Sequence, residues 1–131
     1  MTAGRLPEAV NEIENALREA VPELPIHVFT HMSHIYPQGA SIYTSYIFPN
    51  GATYAESIQN WKKLKKAASM AVVRSGGTIS HQHGIGRDHA PYLKAEKGDL
   101  GMNALCALQT HFDPNSTLNP GVLLSRGNDT T

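Results

Sequence analysis

Apolar residues near the start of the chain recur every three or four positions, the spacing that places side chains on one face of a helix. The pattern runs from Leu6 to Val21 and ends among prolines. Two runs rich in β-branched and aromatic residues follow, at 26–31 and 40–48, and a turn sequence separates them. The chain is therefore predicted to begin with a helix and two neighbouring antiparallel strands.

The second of these strands has two faces of different character, because side chains alternate across a strand. The more apolar face carries Ile42, Thr44, Tyr46 and Phe48. The other face carries Ser41, Tyr43, Ser45 and Ile47. Tyr43 is therefore predicted to lie away from the more apolar side of the sheet.

A long helix is predicted after the strands. Thr53 and Glu56 have the spacing of a capping box, in which each side chain bonds a free backbone N–H at the start of a helix. Gly76 and Gly77 are typical of a helix end. The predicted buried stripe of this helix consists of Tyr54, Ile58, Trp61, Leu64, Ala68, Ala71 and Val72.

The rest of the chain predicts a short strand at 78–81, a loop broken by glycines, a helical turn around Pro91 and a last helix at about 99–112. This order predicts an α+β fold, with helices packed on one face of a small, mostly antiparallel sheet of three strands. So few strands leave sheet edges that need cover. We therefore expect either a homodimer or a chain that is one piece of a larger assembly.

Composition excludes several classes of protein. With 131 residues, 40% of them apolar, the chain can build one hydrophobic core. Its 11 basic and 11 acidic residues balance, so no general attraction to nucleic acid is expected. No stretch approaches the roughly 20 apolar residues of a membrane span, and the start lacks a signal peptide, which predicts a cytoplasmic protein. The single cysteine, Cys106, lies in an apolar run and is expected in the core.

Histidines are the candidate chemical groups, because six of the seven fall into two groups: His27, His31 and His34, then His81, His83 and His89. If the short strand continues through His81 and His83, their imidazoles leave the same face and suit proton transfer. Gly84 follows directly, and a glycine allows the main chain to approach a ligand closely. A zinc site formed by His31, His34, His81 and His83 is the alternative.

Several of these segments together resemble a known family. The run 76–89 and the terminal Leu118-Asn119-Pro120-Gly121 resemble the C-terminal part of FAD-linked oxidases of the vanillyl-alcohol oxidase superfamily. The segment 31–43 and the helix from Thr53 support the resemblance, which spans about residues 8–124. The nearest members are alkyldihydroxyacetonephosphate synthase and its bacterial relatives.

The resemblance implies a ferredoxin-like cap-domain fragment at 6–124, followed by a flexible tail at 125–131. It implies FAD as cofactor, bound mainly by a flavin-binding domain or subunit that would be the partner of this chain. The implied reaction belongs to ether lipid biosynthesis: a fatty alcohol replaces the acyl group of acyl-dihydroxyacetone phosphate, a lipid-phosphate substrate. Whether this chain is an enzyme by itself stays open, and it is expected to be inactive without the flavin domain.

The resemblance also implies roles for individual residues. Tyr43 would take a substrate proton, and His81 and His83 would stabilise the departing acid and activate the alcohol. Gln82 stands where the family has a third histidine, and an amide cannot exchange a proton. Gly84 and Asn119 are the candidate contacts of the flavin.

Two other interpretations remain open at this point. A sister branch, FAD-dependent oxidoreductases of D-2-hydroxy acids, has Glu-His-Gly where this chain has Gln82-His83-Gly84. Some of its members bind a divalent metal through that glutamate, so the neutral Gln82 argues against a metal site here. The third interpretation is a non-catalytic, dimeric module.

Overall fold

The computed structural model describes residues 3–124, and the predicted flexible tail at 125–131 lies outside the described residues. The described residues form two compact units, which divide between Thr78 and Ile79. After a short 3-10 turn at Ala3–Arg5, the first unit contains four elements, which are α1 (Leu6–Ala20), β1 (His27–Tyr36), β2 (Gly39–Ile47) and α2 (Tyr54–Arg74). The second unit contains α3 (Ala90–Phe112).

Helix α1 is central to the core of the first unit. It contacts β1, β2 and α2, and its apolar stripe is buried as its sequence spacing predicts. The core cluster comprises Ile13, Leu17, Val21, Val28, Leu64 and Ala71. Helix α1 thus buries apolar residues against the two strands and against α2, which confirms the predicted α+β fold.

Strands β1 and β2 form an antiparallel hairpin whose turn lies between Tyr36 and Gly39. The predicted first strand ended at residue 31, whereas β1 continues to Tyr36. The register shifts between Met32 and His34, which is a β-bulge. The two predicted faces of the second strand are confirmed: Ile42, Tyr46 and Phe48 pack against the core, and Tyr43 is half exposed on the opposite side.

Helix α2 begins and ends as predicted. The Thr53 hydroxyl accepts a hydrogen bond from the Glu56 backbone N–H at 3.2 Å, and the Glu56 carboxylate accepts one from the Ala52 N–H at 2.7 Å. At the other end Gly76 has a φ of 67°, and the N–H groups of Gly76 and Gly77 donate to carbonyls of the last turn.

Burial along α2 differs from the predicted stripe at one position. Leu64 and Ala71 are buried, but Tyr54 is 83% exposed. Tyr54 is the first residue of the helix, and residues 52–56 are all exposed. This turn therefore extends past the core that the rest of α2 covers.

The predicted strand at 78–81 is wrong, and the sheet of the described residues has two strands rather than three. The Ile79 N–H donates to the Glu96 carboxylate, and the Ser80 hydroxyl donates to the His83 carbonyl at 2.8 Å. These two groups therefore hydrogen-bond to a side chain of α3 and within a local turn, and not to a neighbouring strand.

Helix α3 is two helices across a kink, as the sequence predicted. Gly98 has a φ of 64° and a ψ of 178°, which interrupts the helix between a first segment from Ala90 and a second that ends at Phe112. Among residues 79–124 the buried apolar residues are Ile79, Leu93 and Leu124. No helix within residues 3–124 has the length and apolar character needed to cross a membrane.

Cys106 is exposed, so its predicted place in the core is wrong. The partly buried positions of this part of α3 are Gly101, Met102, Leu105 and Gln109, which lie on one side of the helix. Cys106 follows Leu105 and lies about 100° further round the helix, outside the packed side.

Candidate functional site

The loop at 79–89 precedes α3 and carries two of the predicted site histidines. Its start is bound to α3 by the hydrogen bond from the Ile79 N–H to Glu96 Oε2, at 3.2 Å. The hydrogen bond from Lys97 Nζ to Glu96 Oε1, and then the Ile79 N–H bond, hold the pKa of Glu96 below its ordinary value. Glu96 is therefore a carboxylate at neutral pH and keeps its acceptor oxygen for the loop.

A turn, not a strand, separates His81 from His83. Gln82 has a φ of 61°, in the left-handed region that non-glycine residues avoid, and the Ser80–His83 hydrogen bond closes the turn. His81 is half-buried and His83 is exposed. The predicted same-face arrangement required an extended backbone, so that part of the prediction is wrong.

We call the loop at 79–89 and the segment that follows α3, residues 113–124, the loop cluster. The buried Asp113 carboxylate accepts three hydrogen bonds at 2.9 to 3.0 Å, from the Thr117 N–H, the Thr117 hydroxyl and the Leu118 N–H. It therefore fixes the chain as it leaves α3. From the sequence alone, Asp113 is predicted only as a helix end.

Asn119 begins a tight turn. The Val122 N–H donates to the Asn119 carbonyl at 3.1 Å, and Gly121 at the third position has a φ of 73°. Proline at the second position and a glycine with positive φ at the third are the requirements of a type II turn. The turn leaves Asn119 exposed.

Two hydrogen bonds join the loop to this turn. The Leu123 N–H donates to the Gly86 carbonyl at 3.2 Å, and Arg87 Nη2 donates to the Pro120 carbonyl at 3.4 Å. The structure thus brings together the glycine loop that holds Gly84 and the turn that begins at Asn119. The sequence contained no signal for Arg87 as the side chain that joins them.

Backbone strain is concentrated in this cluster. Among residues 3–124, the non-glycine residues with positive φ are Gln82, Ser116, Asn119 and Leu123, and all four lie in the second unit. Such residues persist only where surrounding contacts hold them, and they cluster at functional sites. The strain identifies this loop cluster as a candidate site, independently of the histidines.

Tyr43 lies in the first unit, on the exposed face of the hairpin, which we call the outer face. It pairs with His31 on the neighbouring strand, and the two rings stack with centroids 5.2 Å apart and an interplanar angle of 24°. The outer face also carries the ring pairs His27–Phe29, at 5.5 Å, and His34–Tyr36, at 6.3 Å. Tyr43 is 50% exposed.

The predicted site residues therefore fall into two sets. Tyr43 belongs to the first unit, and His81, His83, Gly84 and Asn119 belong to the second. Within residues 3–124, no group of three or more His, Cys, Asp or Glu side chains is arranged to hold a metal ion.

Comparisons with known proteins identify a family and several relatives. Residues 2–123 match the family described as FAD linked oxidases, C-terminal domain. The chain is 31% identical over 94 residues to the alkyldihydroxyacetonephosphate synthase of Trypanosoma brucei brucei, and 27% identical over 101 residues to that of Dictyostelium discoideum. These alignments cover 72% and 77% of this chain.

A relative that is named as a dehydrogenase, not a synthase, aligns over more of the chain. The D-2-hydroxyglutarate dehydrogenase of Stutzerimonas stutzeri is 24% identical over 125 residues, which is 95% of this chain. The matched regions are 15%, 16% and 26% of the lengths of these three relatives, in the order given. The chain thus spans a small part of the curated relatives that it matches.

FAD is the cofactor of this family, and the loop cluster fits a contact with one part of it. No heavy atom lies within 4 Å of the position that a Cβ would take at Gly84 or Gly86, so a planar ring can approach the main chain there. Asn119 adds an exposed amide beside that loop. Within residues 3–124 the loop before α3 does not follow a strand, as a dinucleotide-binding loop would.

Proposed function

Because this chain belongs to the family of FAD linked oxidases, C-terminal domain, we propose that it supplies the substrate side of an FAD-dependent alkyl transferase. In this proposal residues 6–124 form a cap region that acts together with a flavin-binding domain or subunit. The chain would be inactive without that partner, since its described residues fit only a partial contact with FAD. The similarity to two alkyldihydroxyacetonephosphate synthases supports this activity.

The proposed reaction exchanges one carbon–oxygen bond for another without net oxidation. The ester bond between the acyl oxygen and the dihydroxyacetone phosphate carbon breaks, and a fatty acid leaves. An ether bond forms between the same carbon and the oxygen of a fatty alcohol, whose proton is released. FAD, when bound, would supply an electron-accepting ring for this exchange.

The chain's own residues would move the protons. Through its phenolic oxygen, Tyr43 takes a proton from the substrate carbon and returns one to the same carbon when the ether product forms; its side chain is half exposed on the outer face. His81 and His83 stabilise the departing acid and take the proton of the alcohol, since an imidazole can act as acid or base near neutral pH. Gln82 contributes hydrogen bonds but no proton transfer.

The single observation that carries this proposal is the exposed Tyr43 phenol, stacked on His31 outside the core, in a chain that is similar to these synthases. A tyrosine that only served packing would face the cluster around Leu17 and Leu64. Gly84 and Asn119 would contact the flavin from the loop cluster.

A second candidate is the oxidation of a D-2-hydroxy acid. The alignment with D-2-hydroxyglutarate dehydrogenase over 95% of the chain favours it. The neutral Gln82 and the phenol at position 43 favour the transferase instead. The two reactions differ in their effect on the flavin, because the oxidation reduces it and the transfer does not.

The test combines this chain with the remaining part of the Trypanosoma brucei brucei synthase, either mixed or fused in place of the matched region. The assay follows a labelled fatty alcohol into a product that survives alkaline hydrolysis, as an ether does and an ester does not. We expect ether formation, and a loss of about 100-fold or more in kcat for Tyr43→Phe, the usual range for removing an acid or base.

His27→Ala is the matched control, because His27 lies on the same outer face but is not assigned a role. Ether formation that is equally fast with Tyr43→Phe would contradict the proposal. Anaerobic bleaching of the bound flavin by a D-2-hydroxy acid, without ether formation, would support the second candidate.

A further inference from the structure

His31 and Tyr43 form a directly opposed pair across the hairpin. They occupy one register position of β1 and β2, and their rings stack at 5.2 Å and 24°. Directly opposed side chains on one face of an antiparallel pair are the closest neighbours that a sheet offers. The phenol ring therefore has a flat partner on the side where β1 lies.

Tyr43 is flanked by small side chains on its own strand. Its side chain is 50% exposed, and its strand neighbours on the outer face are the small Ser41 and Ser45. Exposed side chains change rotamer on the picosecond to nanosecond timescale. A ring stacked on the phenol limits that motion.

The other two outer-face histidines contact different partners. His27 lies against Phe29, and His34 lies against Tyr36 and the Ser33 hydroxyl, at 3.2 Å from its Nδ1. The bulge between Met32 and His34 keeps His34 on the outer face although it is three residues from His31. Each of the three histidines thus lies in a different ring pair, and His31 is the one that stacks on Tyr43.

We infer that His31 is a positioning residue, which holds the Tyr43 phenol in the orientation needed to take the substrate proton. The inference rests on the proposed function insofar as it assigns that step to Tyr43. His31 acts through its flat ring, and no proton passes through it. A different flat ring at position 31 therefore preserves the effect, whereas a methyl group does not.

The first test reads the orientation of the ring directly, in the full 131-residue chain. NMR of ¹³C-labelled Tyr43 is expected to give contacts between the rings of residues 31 and 43 in the wild type and in His31→Phe. His31→Ala is expected to lose these contacts and to average the χ1 couplings of Tyr43. His27→Ala is the matched control and is expected to leave the Tyr43 signals unchanged. Unchanged couplings in His31→Ala would overturn the inference.

The second test measures kcat and KM in the combined enzyme used for ether formation. His31→Ala is expected to lower kcat about 10- to 100-fold with KM within about twofold, because a misdirected group costs rate rather than binding. His31→Phe is expected to recover most of kcat. A His31→Phe enzyme as slow as His31→Ala, with the ring contacts retained, would mean that the imidazole itself is required, and it would overturn the positioning role.

The two tests separate this inference from the proposed function. If Tyr43→Phe retains full kcat, the proposed role of Tyr43 is wrong whatever the NMR result. If Tyr43→Phe is slow but His31→Ala is not, the proposed function stands and the positioning role fails.

Discussion

Individual residues of the loop cluster adopt conformations that their own side chains do not favour. Gln82 has a φ of 61° and Leu123 a φ of 69°. A left-handed conformation costs an L-residue about 1 to 2 kcal/mol. Sequence reasoning placed Tyr43 on the correct face, because alternation along a strand is local geometry. It missed the conformation of Gln82, because that depends on the Ser80–His83 hydrogen bond.

The backbone cost at Gln82 can be measured with a pair of variants that both remove the side chain. We expect Gln82→Gly to be more stable than Gln82→Ala by about 1 kcal/mol, because glycine adopts positive φ without a Cβ penalty. Chemical denaturation of both variants measures the difference.

Gln59 provides the matched control for this pair, since it lies exposed in the middle of α2. There the order should reverse, with Gln59→Ala the more stable by about 1 kcal/mol, because glycine is a poor helix former. If Gln82→Ala equals or exceeds Gln82→Gly in stability, the left-handed conformation of residue 82 is wrong.

At the scale of elements, helices and the hairpin were predictable from their periodicity, and the third strand was not. Helices α1 and α2 and the strands β1 and β2 each carry a repeating pattern that local geometry explains. Residues 78–81 have strand-forming composition, but the Ile79 N–H bonds Glu96, seventeen residues later. A segment becomes a strand only if a partner strand is available, and composition cannot report that.

Contact between α1 and α2 makes a pH-dependent contribution to stability. Glu12 accepts hydrogen bonds from Arg74 Nε at 2.7 Å and from the Ser75 hydroxyl at 2.8 Å. The Arg74 bond first, and then the Ser75 bond, hold the pKa of Glu12 below its ordinary value. A lowered carboxyl pKa stabilises the fold above the ordinary pKa of glutamate, and this contribution is lost as the pH falls through the lowered pKa.

We therefore expect Glu12→Gln to be modestly less stable than the wild type at neutral pH, with a difference that shrinks towards zero in acid. Thermal melts between neutral and acidic pH measure it. Glu23→Gln is the control, an exposed carboxylate in the turn after α1, expected to stay within about 0.5 kcal/mol of wild type. If Glu12→Gln were less stable than the wild type by the same amount at every pH, the lowered pKa of Glu12 would be contradicted.

At the scale of the whole molecule, the two units differ in the size of their apolar cores. The first unit has the cluster built from α1, β1 and α2. In the described part of the second unit, residues 79–124, the buried apolar residues are Ile79, Leu93 and Leu124. Helix α3 leaves Leu100, Leu108 and Phe112 exposed. Local opening is easiest where few apolar contacts are buried.

Hydrogen exchange should therefore be slow in α1 and α2 and faster in α3, as measured by mass spectrometry on the full chain. Leu64→Ala, which empties a fully buried position, should accelerate exchange in the first unit and cost about 2 to 5 kcal/mol. Leu100→Ala is the control, since Leu100 is 85% exposed, and should change little. Equal protection of α3 and α2 would contradict this difference between the units.

The amino-acid sequence by itself determined the helices, the hairpin, the outward face of Tyr43 and the family to which the chain belongs. These follow from covalent geometry that repeats every two or 3.6 residues and from residue types at particular positions. Only the tertiary structure decided that 78–81 forms no strand, that Gln82 turns left-handed, and that His31 stacks on Tyr43. The first and the last depend on a partner elsewhere in the chain, and the Gln82 turn depends on a hydrogen bond between Ser80 and His83 that composition does not reveal.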